Sequence, residues 1–379
     1  MAMWPRPEPT SSEASLNMEE SQARTVGVIA DPGIAHAMAN KVSQRLESVL
    51  EKLHGHGSEW NVEVAPFSLP LGESGRVVLN DHVPKLRQKH GWDFIIYLTD
   101  APHYVQRRPV RTVISLAEGS AVLSMPSLGL ARPRTVAKEL AELVRELATG
   151  RRPAPPPTPL GRAMSVHASR QDLENEHNRI NSIEGLRGRL LLIAGMVRSN
   201  RPWKLVPRLS SAMAGAVATG AFGVFYTSIW SMADYLPNRR LVMITVASIL
   251  ILTLWLLLHN RLWEKPKGHR RRERIVVYNV ATVLTVGFAA TAMYLLMFLA
   301  LLAGSLIVID QEYLAYQLRH DVTLAEYINL AWLASSLGTM GGAIGSSFDE
   351  VKEVQRATFS QREYERRNME FIISKDDVQ

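Results

Sequence analysis

After residue 205 the chain is dominated by apolar runs of bilayer length, 209–232, 241–258, 275–309 and 324–344, separated by polar loops. A hydrocarbon core about 30 Å thick needs about 20 apolar residues at about 1.5 Å of rise each, and every run meets or approaches that length. Before residue 200 apolar residues come only in short runs between charges. The expectation is therefore a soluble module followed by an all-α domain of four transmembrane helices, residues 209–345. The third run is longer than the hydrocarbon core, so it must tilt, project from the bilayer or break near Gly304.

The placement of charge agrees with this division. The chain carries +7 in total, but residues 25–150 are nearly neutral, 151–274 carry +13 and 275–379 carry −5. A nucleic-acid-binding domain concentrates the basic excess in itself. Here the excess flanks the apolar runs, so no nucleic acid is expected and an anionic headgroup layer is the natural partner. Six basic residues and no acid lie between Leu186 and Arg208, and seven basic residues lie in 259–274, against two in 233–240 and one in 310–323. Lys and Arg stay on the cytoplasmic side, which places both chain termini there. The first 24 residues are polar and Pro-rich, unlike a secretory signal, so the first apolar helix is expected to do the targeting. The absence of cysteine removes disulfides, thiolate nucleophiles and Cys-based zinc sites.

Residues 25–150 read as a cytoplasmic α/β domain with an open, partly parallel sheet, preceded by a disordered segment, 1–24. "TVGVIAD" (25–31) and "WDFIIYLTD" (92–100) are buried-type strands, and "WNVEVAPFSLP" (60–70) alternates. Residues 111–118 and 120–128 are placed to pair as a hairpin across Gly119. Helical spacing runs from Ile34 to Leu53 and from Val136 to Leu147, giving the order β-α-β-α-β-β-β-α. The proline-rich linker 151–160 follows, and an autonomous domain is expected to end before it. Leu173, Ile180, Ile183, Leu186, Leu190, Ile193 and Met196 then mark an amphipathic helix within a basic membrane-surface segment, 161–208. Residues 346–379 form a charged cytoplasmic tail.

The run Gly338-Thr-Met-Gly-Gly-Ala-Ile-Gly345 contains glycines but lacks the lysine of a phosphate loop. Ala334, Gly338, Gly342 and Ser346 instead fall on one helix face, as do Ser211, Gly215, Thr219 and Gly223. Such faces let helix backbones approach closely where no hydrophobic effect drives association. Ser336 is expected on the opposite, tolerant side. No ionisable residue occupies a central position in any of the four runs, which disfavours an ion-coupled transporter.

In the soluble domain Asp31 follows the first strand, and Asp100 and His103 follow the third. If those strands are neighbours, their carboxyl ends form the crevice where open α/β sheets bind ligands. Arg107, Arg108 and Arg111 add a basic cluster nearby. The competing reading is structural: Asp31-Pro32 has the form of a helix N-cap with proline in the first turn, and Asp100 begins a turn. No metal ligand set, cofactor motif or catalytic motif stands out.

The run "GWDFIIYLTDAPHYVQRRPVRTVISLAEGSAVLSMPSLG" (91–129), with "GGAIGSSFDEVKEVQRATFSQREYERR" (341–367), resembles multipass membrane proteins of high-GC Gram-positive bacteria with an N-terminal soluble α/β domain. The resemblance implies this layout and a plasma-membrane address, and it transfers no catalytic residue. The function expected is that of a sensor or scaffold whose α/β domain meets a small ligand or protein partner, with homo-oligomers open to it. The alternatives are a membrane-tethered hydrolase or metal-dependent phosphoesterase using Asp31, Asp100 and His103, and a channel or transporter.

Overall fold

The computed structural model describes residues 23–54, 59–70, 77–105, 108–130, 132–151, 178–183, 185–264, 272–365 and 367. The chain divides into two compact units. The first comprises Met1–Thr99, Val110–Ser124 and Ala131–Ser182, and the second comprises Asp100–Pro109, Met125–Leu130 and Ile183–Gln379.

The first unit is a mixed sheet with helices on both faces. In chain order its elements are β1 (Arg24–Ala30), α1 (Ile34–His54), β2 (Trp60–Pro66), α2 (Val83–His90), β3 (Phe94–Thr99), β5 (Arg108–Ser115), β6 (Ser120–Ser124), α3 (Pro133–Thr149) and β7 (Asn178–Ser182). A further short strand, β4 (His103–Val105), belongs to the second unit. The order runs β2-β1-β3-β6-β5, with β7 also on β5. The β2–β1, β1–β3 and β3–β6 pairs are parallel, and β5 pairs antiparallel with both β6 and β7. The sheet is thus partly parallel, as its sequence pattern predicts.

Parallel strands need covered faces, which is why β1 and β3 are buried almost continuously. One face packs Leu69, Val77, Leu79, Val83 and Trp92 over Ile29, Ile95, Tyr97 and Val122. α1 and α3 pack against each other and bury Val42, Leu46, Val136, Leu140 and Val144. Gly27 is required by close approach, because a Cβ there would collide with the Trp92 indole.

The structure departs from the expected helix over 173–196. Residues 178–182 form β7, with Ile180 opposite Val113, and the helix is confined to α4 (Gly185–Asn200). The free edge of β5 supplies main-chain partners that a short segment with weak helical spacing takes in preference. The first unit therefore recruits a strand from beyond the proline-rich linker, where the sequence reading ends the domain at residue 150. Residues 152–177, with nearly all of that linker, lie outside the described residues, as do 1–22.

The second unit is helical. After α4 come α5 (Ser210–Phe225), α6 (Thr227–Tyr235), α7 (Asn238–His259), α8 (Arg272–Val308), α9 (Gln311–Leu318), α10 (Leu324–Gly345) and α11 (Val351–Thr358). Two helices, α7 and α8, are long and apolar enough to cross a membrane. A third candidate arises if α5 and α6, bent by 85° at Tyr226, count as one span. Four such spans were expected from the sequence. The run beginning at 209 is broken, and α10 falls short on apolar character. α8 continues unbroken through Gly304, and its 37 residues extend about 55 Å.

Burial runs opposite to apolarity. Only 33% and 28% of the most apolar stretches of α7 and α8 are buried, and Val246, Leu250, Leu254, Leu284, Leu295 and Leu299 point outward. α10 carries more small and polar residues, yet it is enclosed by α5, α6, α7 and α8. Its contact with α5 runs along the two small-residue faces. A Cβ on Gly338 would lie 2.6 Å from the Ala216 carbonyl, one on Gly342 2.9 Å from that of Ala212, and one on Gly215 3.1 Å from the Gly345 Cα. The opposite side of α10 is not free, in contrast to the expectation for Ser336. That residue is buried in a cluster in which Trp332 Nε1 donates to Thr245 Oγ1 at 2.6 Å and the hydroxyls of Thr245, Tyr294 and Ser336 lie within 3.3 Å of one another.

The loops sort to two ends of the bundle. At one end His320 Nε2 meets Asp234 Oδ2 at 3.0 Å, joining the α9–α10 loop to α6. At the other, Asp349 accepts from the Ser211 and Ala212 amides at 3.0 and 3.4 Å, satisfying orphan donors at the start of α5. There too Gln355 donates to the Asn260 carbonyl (2.9 Å), and Arg208 pairs with Glu353 (3.0 Å). The segment after α10 is therefore folded onto the bundle, with Arg362 and Glu363 buried.

Two outcomes test this packing. Gly338→Leu forces a side chain into backbone atoms and is expected to cost at least about 1–3 kcal/mol, seen as loss of the monodisperse peak in detergent chromatography. Gly304→Leu, where a Cβ meets nothing within 4 Å, is expected to leave that peak intact. The His320 clasp gives a pH signature. Hydrogen bonding to Asp234, then to the Asp321 carbonyl, raises the imidazole pKa above its ordinary value. Its stabilisation is complete below the unfolded value of about 6.5 and is lost as pH rises through the raised folded value. The thermal midpoint in detergent is expected to fall over that range, and Asp234→Asn to remove this component.

Candidate functional site

The order β2-β1-β3 makes the carboxyl ends of β1 and β3 a topological switch point, because the chain leaves β1 to one side and returns to the other. Asp31 sits there on the strand face that carries Ile29, with Tyr97 and Thr99 on the same face of β3. Its amide continues the ladder to the Leu98 carbonyl at 3.0 Å. Its carboxylate is 1% exposed and accepts from three hydroxyls, those of Tyr97, Thr99 (2.6 Å) and Ser68 (3.3 Å). Tyr97 Oη in turn accepts from the Leu69 amide at 3.4 Å. The network ties β1, β3 and the segment after β2 together. Helix α1 begins at Ile34, after Pro32 and Gly33, whose φ of 121° turns the chain.

Asp31 was visible as a strand-end acid, but its hydroxyl partners were not. Tyr97 and Thr99 look like ordinary strand residues until period-two alternation is combined with the β1–β3 register, and Ser68 is brought in by a loop. Burial and three donors make this carboxylate a fixed acceptor. Ser68 is the most distant of the three donors.

The other candidates divide between the units. Arg111 belongs to the first, where it pairs with Glu139 at 3.1 Å. Burial pushes the Glu139 carboxyl pKa up, and Arg111 opposes that shift. Arg111 is thereby committed to an internal partner. Asp100 and His103 belong to the second unit, as does Arg108, because the boundary between the units falls inside β5, after Pro109, and Arg107 lies outside the described residues. Among the described residues no group of three or more His, Asp or Glu is placed to hold a metal ion.

Asp100 lines a narrow cleft of the second unit with Asn200, Tyr278, Ser360 and Glu363. Asn200 acts as a clamp there: its Nδ2 donates to Thr285 Oγ1 at 3.1 Å and its Oδ1 accepts from the Ser360 amide at 3.1 Å. Glu363 accepts from Arg367 at 3.0 Å, and Arg367 also donates to the Leu262 carbonyl at 2.9 Å. Arg274 lies over the Tyr104 and Tyr278 rings at 5.4 and 5.3 Å, fastening the 100–109 segment to α8. These are joints between α4, α8 and the C-terminal segment, and the sequence reading missed them because their partners lie far apart along the chain.

The Asp31 network is testable in a fragment spanning residues 20–184. Asp31→Ala leaves buried hydroxyls without their acceptor and is expected to cost about 1–3 kcal/mol in urea unfolding. A double-mutant cycle with Tyr97→Phe is expected to return a coupling of about 0.5–3 kcal/mol. Additivity of the two substitutions would remove the network. Compared with models of protein families, with curated proteins and with solved structures, the chain matches none.

Proposed function

We propose that the protein is an integral membrane scaffold or sensor, in which the helical unit holds a cytoplasmic α/β domain at the plasma membrane of a bacterium. The observation that carries this reading is the inverted burial of the helical unit, with its most apolar helices outward and its small and hydroxyl-bearing helix enclosed. In water the outward faces of α7 and α8 would be a very large exposed apolar surface, whereas in lipid they are solvated. Aromatic residues add support. Tyr235 and Tyr316 are 91% and 79% exposed near one end of the bundle, and Trp255 and Trp263 are exposed near the other. α7 lies between them with a length of about 33 Å, close to a hydrocarbon core.

On this reading α10 is the fourth span, admitted to the membrane because neighbouring helices and its own carbonyls, not lipid, meet its buried hydroxyls and the Trp332 indole. α5 crosses and α6 turns into the outer headgroup layer. The basic segments before α5 and after α7 lie in the cytoplasm with both termini, in keeping with the resemblance to bacterial multipass proteins. The α/β domain is the part that meets a small ligand or protein partner, with the switch point at Asp31 as the place to look. A scaffold is preferred to a transporter because the helical interior is occupied by close packing and by the Thr245–Tyr294–Trp332–Ser336 cluster, with no ionisable group at mid-depth.

Topology reporters provide the test. A reporter active only outside the cytoplasm is expected to work when fused near Leu236 or Tyr316, and to fail near Gly268 or after Arg367. Activity at Gly268 would overturn the orientation, and release of the chain by alkaline carbonate would overturn the membrane reading itself.

A further inference from the structure

Among the described residues three that are not glycine have positive φ, and all three are arginines: Arg201 (50°), Arg261 (52°) and Arg319 (64°). The left-handed region disfavours a residue with a Cβ, and glycine is the ordinary occupant of such turns. Two of the three share a local pattern. Arg201-Pro202-Trp203 follows α4 and Arg261-Leu262-Trp263 follows α7. In each the middle residue is buried and the tryptophan two positions beyond the arginine is half exposed, at 55% for Trp203 and 52% for Trp263. Arg319, at the opposite end of the bundle, has no tryptophan two positions on.

Both turns lie at the same end. Asn200, just before the first, accepts from the Ser360 amide, and the carbonyl of Asn260, just before the second, accepts from Gln355. Asn200 also donates to Thr285 of α8, 23 residues before that helix ends at Val308, a depth of about 35 Å. The turns therefore sit about one hydrocarbon thickness from the far end, at headgroup level. Several acids at this end are already engaged: Glu353 by Arg208, Glu363 by Arg367, Glu264 near Arg367 at 3.5 Å, and Asp349 by the start of α5. Among the described residues no acid pairs with Arg201, Lys204 or Arg261.

We infer that the Arg201–Trp203–Lys204 and Arg261–Trp263 turns form a docking surface for anionic phospholipid, with the indoles in the headgroup layer and the cations on its phosphates. The inference rests on the membrane reading above. A tryptophan supplies an apolar body and a polar N–H suited to that layer, and cations beside it distinguish an anionic headgroup from a zwitterionic one. The next residue in each turn anchors the loop in the bundle, and binding of a headgroup gives a reason for keeping arginine where glycine would relax the chain.

The test uses the full chain in lipid nanodiscs, with Trp203→Phe and Trp263→Phe to assign the fluorescence of the two indoles. Brominated phosphatidylglycerol is expected to quench those indoles at least twofold more than brominated phosphatidylcholine at equal mole fraction, and Arg201→Gln/Lys204→Gln/Arg261→Gln to bring the ratio to one. Arg201→Gly is expected to raise the thermal midpoint while lowering the ratio, a combination that a purely structural arginine would not produce. Equal quenching by the two lipids in a carbonate-resistant protein would overturn this inference alone. A chain released by carbonate would overturn it together with the membrane reading.

Discussion

The close approach of α5 and α10 is the constraint on which the helical unit depends. On the membrane reading proposed above, hydrocarbon outside and hydrocarbon-like side chains inside give no net drive for helices to associate, so contact must come from packing and hydrogen bonds. Glycine, alanine, serine and threonine on the facing sides bring Gly338 and Gly342 against the carbonyls of Ala216 and Ala212. A larger residue anywhere along that seam would separate the helices over several turns. The enclosed position of α10 follows, and so does the position of the hydroxyl cluster on its other side, where Thr245 and Tyr294 reach it from α7 and α8.

That arrangement explains why α10 carries a composition unlike that of a lipid-facing span. On the same reading apolarity is needed only where a helix meets lipid, and α7 and α8, whose most apolar stretches are mostly unburied, carry it. The buried polar groups of α10 find partners inside the bundle, Trp332 and Ser336 on Thr245 and Tyr294, and Ser335 and Thr339 on carbonyls of α10 itself. The ends of the bundle are closed by a different chemistry, with Asp349 on the amides of α5, Asn200 between α8 and the C-terminal segment, and Arg367 on Leu262 and Glu363.

The first unit rests on a comparable close contact, Trp92 against Gly27, beneath a sheet whose switch point is closed by Asp31 and its three hydroxyls. A buried carboxylate costs free energy unless donors surround it. Here the donors come from β3 and from the segment after β2, so the acid both depends on the correct sheet order and reports it.

By itself the sequence determined the two-part character of the chain, the strands and helices of the α/β region, the two small-residue faces and the contrast between basic and base-poor loops. Those features follow from local periodicity, residue size and charge, which need no knowledge of neighbours. Tertiary structure alone decided the rest. β7 formed because β5 offered unpaired main-chain groups, against the helical spacing of its own residues. The enclosure of α10 by α5, α6, α7 and α8, not its own composition, decided that it lies inside the bundle, and Ser336 became a buried contact for the same reason. The partners of the Asp31, Asn200 and Asp349 side chains lie 37 to 160 residues away, and a hydrogen bond between such residues leaves no mark in the spacing of either.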